Sequence, residues 1–278
     1  MRYSRYEINT LTCPVNLALA LTRRGHRTGL LDTDVFGPSV PTLLGLSQAR
    51  APLDPDSPDL LLPLQSYGLK SMSIGYLLPS SSSTKNSESP SYSEKRTAEN
   101  EAAAAEDDDK PIVWRGLMVM KALQQLLFQI RWGPAPGLDY LILDLPPGTG
   151  DTHLTISQSV PLAGALIVSS PQNVALKDAA KGISTWRKTD VPVLGLVSNF
   201  SYFMCGGCET RHEIYGSQEK LQKMARRMEV EVLARVPIVG RVSEDCDAGK
   251  PTVVADPDGE VARVFGDLAV KVEGIVGK

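Results

Sequence analysis

The sequence predicts an α/β fold: a mostly parallel sheet with helices on both faces. Short, continuously apolar runs such as Tyr140 to Leu143 and Ala165 to Val168 alternate with longer segments of helical period. Several of those runs end directly on acidic or glycine-rich stretches, where open α/β sheets place ligands. Aromatic residues make up only 6% of the 278 residues and glycines number 23, which suits ligand loops better than an aromatic-rich β-sandwich. The length fits one large domain, and we read residues 1–278 as a single one.

The elements follow in order. Val15 to Arg24 is apolar-periodic and stops at Gly25, the residue type that ends helices. Thr28 to Leu31 is a short strand. Leu60 to Leu64 and Leu69 to Ile74 are strands around a turn at Tyr67-Gly68. Gly116 to Ile130 carries Leu117, Met120, Leu123, Leu127 and Ile130 on one helical face. Strand Tyr140 to Leu143 runs into DLPPGTGD, and strand Ala165 to Val168 into a helix from Val174 to Arg187. Strand Pro192 to Val197, helix Ser217 to Met228, strand Val232 to Val236 and a closing helix from Glu260 to Val272 complete the pattern. Connections between the parallel strands are expected to be right-handed.

Residues 80–110 stand apart. With almost no aliphatic side chain beyond alanine, they cannot repay the entropy of ordering and read as a low-complexity acidic insertion within the domain. Eight acidic and four basic residues lie there, so the formal net charge of -3 belongs to the insertion and the rest is nearly neutral. That balance excludes a strongly basic nucleic-acid-coating protein. Apolar runs such as Val160 to Val168 are too short to cross a bilayer. Four cysteines in a chain of this length do not make a secreted disulfide scaffold. Residues 1–12 hold no apolar signal core and no convincing Arg-rich transit helix, so the expectation is a cytosolic protein or a targeting part absent from this sequence.

Two strand ends carry carboxylates. Strand TGLL runs into Asp32-Thr33-Asp34, and strand YLIL into Asp144, followed by Gly148-Thr149-Gly150-Asp151. A carboxylate directly after a buried apolar strand is the Walker B arrangement, in which Asp144 would hold Mg²⁺ beside nucleotide phosphates. Asp34 would orient an attacking water or join the magnesium shell. Gly148 and Gly150 would let the backbone approach a terminal phosphate. The plain alternative is that Asp and Gly after strands simply make turns. The glycine-rich loop with a lysine that normally cradles phosphates does not occur in residues 1–14.

Cys205 and Cys208 form a lone C-x-x-C after a strand. Two thiolates grip a metal, but zinc or an iron–sulfur cube needs four ligands. His212 would help within one chain, whereas a symmetric dimer would supply the same pair twice. A redox dithiol and two ordinary thiols are the alternatives, and Cys13 and Cys246 read as ordinary thiols.

These residues resemble the Mrp-type branch of the deviant P-loop ATPases, the iron–sulfur cluster carriers of the MinD/ParA-like superfamily. The stretches that carry it are NLALALTRRGHRTGLLDTDVFGPSVPTLLGL, PIVWRGLMVMKALQQLLF, LDYLILDLPPGTGD, SSPQNVALKDAAKG, GLVSNFSYFMCGGC and PIVGRVSEDCDAGKP. The block WRGLMVMKALQQLL is most similar to the mitochondrial members that assemble clusters of respiratory complex I. The resemblance implies a three-layer P-loop NTPase-like fold and an ATP-binding homodimer that passes a [4Fe-4S] cluster to apoproteins, complex I subunits among them, in the mitochondrial matrix. It implies no nucleic acid partner and no transmembrane segment, and it leaves the cytoplasm as the alternative compartment.

Position by position, the resemblance implies that Asp34, beside Asp32, is the catalytic switch aspartate that places magnesium and water, and that Asp144 binds magnesium. Gly148, Thr149, Gly150 and Asp151 match the second switch, and Asn199 matches the asparagine that reads the adenine edge. Cys205 and Cys208 match the pair that bridges the cluster between subunits. The family loop GKGGVGKST should precede VNLALAL directly, but Thr10 stands at the place of its lysine and Thr12 at that of its last threonine. The first strand and the P-loop are therefore expected to be missing, by an incomplete start or a genuine variation, with ATP binding and hydrolysis weakened or lost. A nucleotide-dependent switch that positions partner proteins, and a non-hydrolysing structural subunit without a cluster, remain alternative functions.

Overall fold

The computed structural model describes residues 12–77, 116–135, 137–148 and 151–277. The acidic stretch 80–110 lies outside them. In chain order come α1 (Thr12–Arg23), β1 (Thr28–Asp32), α2 (Val40–Leu43), β2 (Leu53–Asp54), β3 (Ser57–Leu61), β4 (Leu64–Ser66), β5 (Leu69–Met72) and a 3₁₀ turn at Ile74–Tyr76. Then follow α3 (Gly116–Phe128), β6 (Tyr140–Asp144), α4 (Asp151–Ser159), β7 (Ala165–Ser169), α5 (Asn173–Lys188) and β8 (Val193–Ser198). The chain closes with β9 (Phe203–Met204), β10 (Arg211–His212), α6 (Gln218–Arg227), β11 (Val232–Arg235), α7 (Gly240–Asp247), α8 (Thr252–Ala255) and α9 (Glu260–Val276).

The large strands form two ladders. One has the order β4-β5-β1-β6, parallel except that β4 runs antiparallel to β5. The other, β11-β8-β7, is wholly parallel. No ladder joins β6 to β7 among the described residues. Both strands nevertheless supply the same two cores, because side chains alternate across a strand. Leu141, Leu143, Ala165 and Ile167 enter one core, with Leu123 and Leu127 of α3, Ile183 and Trp186 of α5, and Leu221 of α6. Ile142, Leu166 and Val168 enter the other, with Leu17 and Leu21 of α1 and Phe265, Leu268 and Val272 of α9. Apolar residues on both faces of each strand therefore produce helix–sheet–helix layers.

Local chemistry sets most boundaries. Proline at position 63 separates β3 from β4, so the single strand expected over Leu60 to Leu64 is two strands in different ladders. Ser217 Oγ accepts from Glu219 N and starts α6. Ser73 Oγ likewise accepts from Gly75 N at the 3₁₀ turn. That turn and α3 are the two roots of the span 78–115. Ile74 and Tyr76 on one side and Val119 and Leu123 on the other are buried in the same core. Gly45 and Gly249 pack backbone to backbone, and a Cβ on Gly249 would lie 2.5 Å from the Gly45 Cα. At α1, Asn16 is buried inside the helix and accepts from Val253 N through Oδ1, tying it to α8.

Candidate functional site

The carboxyl ends of the strands gather the acidic residues. Asp32 and Asp144 end adjacent parallel strands as directly paired residues, and both are at least 95% buried. Asp32 Oδ1 accepts from Asp34 N at 3.1 Å, and Oδ2 accepts from Ser73 Oγ at 2.9 Å and Val40 N at 3.4 Å. Burial still dominates those three bonds and pushes the Asp32 carboxyl up to about 7. The Asp144 carboxyl is raised by burial first, then by the charges of Asp32 and Asp34. Half-buried Asp34 caps its own turn, its Oδ1 accepting from Phe36 N and Gly37 N. Thr33 ties the two strand ends together, donating from N and Oγ1 to the Asp144 carbonyl at 2.9 and 2.6 Å.

The structure therefore brings Asp32, Asp34 and Asp144 to one place. Mutually repelling, desolvated carboxylates with oxygen donors are the chemistry that a hard divalent cation such as Mg²⁺ satisfies. Gly148 follows at φ +96°, a left-handed backbone that favours glycine, with open space where a Cβ would stand. Thr149 and Gly150 lie outside the described residues. Asp151 begins α4, with its side chain also outside them.

Asn199 lies just past β8, 3% exposed. Its backbone N donates to the Ser169 carbonyl at 2.9 Å, joining the exits of β7 and β8. Its Nδ2 is buried without a hydrogen-bond partner among the described residues. An orphaned, buried amide donor is an expensive feature that a bound acceptor would satisfy. The adjacent cleft has a volume of about 730 Å³ and is lined by Pro147, Gly148, Ser169, Ser170, Phe200 and Tyr215 among others. Phe200, at φ +52°, stacks on Tyr215 with ring centroids 5.3 Å apart. This aromatic pair has no periodic signal in the sequence, because its members sit in two separate loops.

Cys205 and Cys208 occupy the tip of a hairpin that the sequence pattern did not reveal. Strands β9 and β10 pair antiparallel, Met204 opposite Arg211 and Phe203 opposite His212. Cys205 N donates to the Thr210 carbonyl and Glu209 N to the Cys205 carbonyl, closing the tip. Backbone bonds from Ser201 N to the Val236 carbonyl and from Ile238 N to the Tyr202 carbonyl fix the base beside β11. The Arg211 guanidinium lies 4.6 Å from the Tyr202 ring centroid. Cys205 is half-buried and Cys208 exposed, both as free thiols. Hydrogen bonding to Thr210, then to His212 and Cys205, lowers the Cys208 thiol to about 6. The ligand atoms of Cys205, Cys208 and His212 all lie within 4.8 Å of one another. Cys13 and Cys246 are free thiols buried in the second core.

A layered, mostly parallel sheet with acidic strand ends and an exposed cysteine hairpin defines a P-loop NTPase-like protein of the MinD/ParA class. A family profile described as ParA, "NUBPL iron-transfer P-loop NTPase", matches residues 10–94 and 82–273, and the chain belongs to that family. It is 41% identical over 94% of its length to an iron-sulfur cluster transfer protein NUBPL of Dictyostelium discoideum, covering 71% of that protein. To an iron-sulfur cluster carrier protein of Aquifex aeolicus it is 40% identical over 95% of its length, and it spans 64% of that relative. A nucleotide-binding protein of Archaeoglobus fulgidus, solved with ADP and with cobalt found, superposes at TM-score 0.69 with 27% identity, over 94% of this chain and 91% of that one. The septum site-determining protein MinD of Pyrococcus horikoshii superposes at TM-score 0.64 with 18% identity, over 99% of this chain and 97% of that one, a likeness of fold.

Proposed function

We propose that this protein is a nucleotide-responsive carrier that receives a [4Fe-4S] cluster as cargo and passes it to apoproteins. The observation that carries the reading is the Cys205–Cys208 hairpin: two adjacent free thiols, one poised as thiolate, presented outward on a fixed base. Two thiols are half of a four-thiolate cage, so the cage is completed by the same pair from a second copy at a two-fold axis. Exposed apolar side chains around the hairpin, Phe203, Ile214, Tyr215 and Val239, support such a face. The names of the relatives support cluster transfer as the activity. The block WRGLMVMKALQQLL favours complex I subunits as recipients and the mitochondrial matrix as the compartment, although its first four residues' side chains lie outside the described set.

The strand-end site is the control element of the same domain, with 80–110 as an insertion in it. Asp144 would hold magnesium, Asp32 and Asp34 would arrange its surroundings, and Asp34 would orient an attacking water. Gly148 to Asp151 form the segment that answers to the terminal phosphate. Asn199 would offer its orphaned Nδ2 to the adenine edge, and the stacked Phe200–Tyr215 pair walls the cleft. Residues 1–14 hold neither lysine nor glycine, so the glycine-rich lysine loop that grips the β- and γ-phosphates in P-loop proteins is not among them.

Anaerobic reconstitution followed by iron and sulfide analysis tests the carrier reading. The expected result is one cluster per dimer in the native sequence and none in the Cys205→Ser, Cys208→Ser protein. Retention of the same cluster by that double variant overturns it.

A further inference from the structure

We propose that Cys205, Cys208 and His212 form a three-ligand site within a single protomer for one thiophilic divalent cation. The site uses the two cysteines of the carrier reading but needs no second copy. The cation and the cluster therefore compete for the same thiolates.

Hairpin geometry places the third ligand. Antiparallel pairing sets His212 opposite Phe203, two residues before Cys205, on the strand that returns from the tip. Glu209 at φ +52° turns the chain immediately after Cys208 and sends it back along β9. Glycines fill the space between the cysteines. A Cβ on Gly206 would meet nothing within 4 Å, and one on Gly207 would approach the Cys205 Sγ at 4.0 Å. The tip is thus kept free of side chains where a cation would sit.

Distances agree with this placement. Metal–sulfur and metal–nitrogen bonds of about 2.3 and 2.1 Å at a tetrahedral angle require ligand atoms about 3.6–3.8 Å apart. The two sulfurs and the imidazole nitrogen already lie within 4.8 Å of one another. Side-chain rotation closes a difference of that size, since Cys208 and His212 are exposed and already hydrogen-bond to each other. No fourth His, Cys, Asp or Glu joins the group among the described residues, so the fourth coordination position opens to solvent. Two thiolates and one imidazole select Zn²⁺, Co²⁺ or Fe²⁺ and reject Mg²⁺, which belongs with the carboxylates at the strand ends.

Cobalt(II) titration of the metal-free full-length chain under anaerobic conditions tests the site, with sedimentation in parallel. The expected result is one cobalt per protomer in a monomer, with the visible bands of tetrahedral cobalt and thiolate charge transfer. His212→Ala should weaken binding at least about tenfold, the lower end of what losing even an outer-shell partner costs. His212→Cys should restore tight binding with stronger charge-transfer absorption, which a merely structural histidine would not produce. Unchanged affinity and spectrum in His212→Ala, or one cobalt per two chains, would overturn the proposal. Neither outcome touches the carrier reading, which stands or falls on cluster retention by the cysteine variants.

Discussion

Placing three carboxylates at neighbouring strand ends should make the stability of the metal-free protein fall as the pH rises through neutrality. Asp32 is 1% exposed and its carboxyl is held up to about 7. The folded state keeps this proton more tightly than the unfolded chain, where an aspartate titrates near 3.9. The Asp32 contribution is therefore fully present below about pH 4 and is lost progressively up to and through about pH 7. A difference of about three pKa units corresponds to about 4 kcal/mol, lost at up to ~1.4 kcal/mol per pH unit. Asp144, raised by burial and by its neighbours, adds a second loss in the same direction, and the pair titrates jointly. Urea unfolding in chelator-treated buffer at a series of pH values measures this. The midpoint should fall between about pH 5 and about pH 7.5, and Asp32→Asn should flatten the dependence by about one proton. A native midpoint that stays level or rises over that range would refute the reasoning, as would an equally steep fall in Asp32→Asn.

Iodoacetamide in metal-free buffer near neutral pH should label Cys208 first and leave Cys246 untouched until unfolding, because burial pushes the Cys246 thiol up to about 11. Labelling of Cys208 should slow as the pH drops below about 6, with peptide mass spectrometry as the readout. Asn199→Ala should leave the unfolding midpoint level or slightly raised, since it removes an orphaned buried donor, while ADP affinity measured by calorimetry falls roughly tenfold. Gly249→Ala combines φ +67° with a Cβ 2.5 Å from the Gly45 Cα, so it should cost at least ~2 kcal/mol in urea unfolding. Trp186→Ala, emptying a site 1% exposed, should cost about 3–5 kcal/mol in the same measurement.

Continuous apolar runs made the central strands legible. Tyr140–Asp144 and Ala165–Ser169 are buried on both faces, so their sequences carry the signal at every position. Helix α5 was legible because Leu176, Ala179, Ile183 and Trp186 fall on one buried face. By contrast, α4 reads DTHLTISQS, whose polar residues hide its buried His153 and Ile156. Strands β9 and β10 have only two residues each, too few for a period of two to register. The carboxylates and the cysteine pair stood out by residue type and place. Ser73 did not, because its bond to Asp32 spans 41 positions along the chain. The division into two ladders, with no pairing between β6 and β7 among the described residues, reflects spatial order, which local patterns do not encode.

Rooting both ends of the span 78–115 in one packed layer has a further consequence. Tyr76 and Val119 are buried in the same core cluster, so the domain's own packing fixes the two flanks of residues 78–115. Both anchors share their core with Leu143, the neighbour of Asp144, so packing at this edge and the geometry of the acidic strand ends are set together.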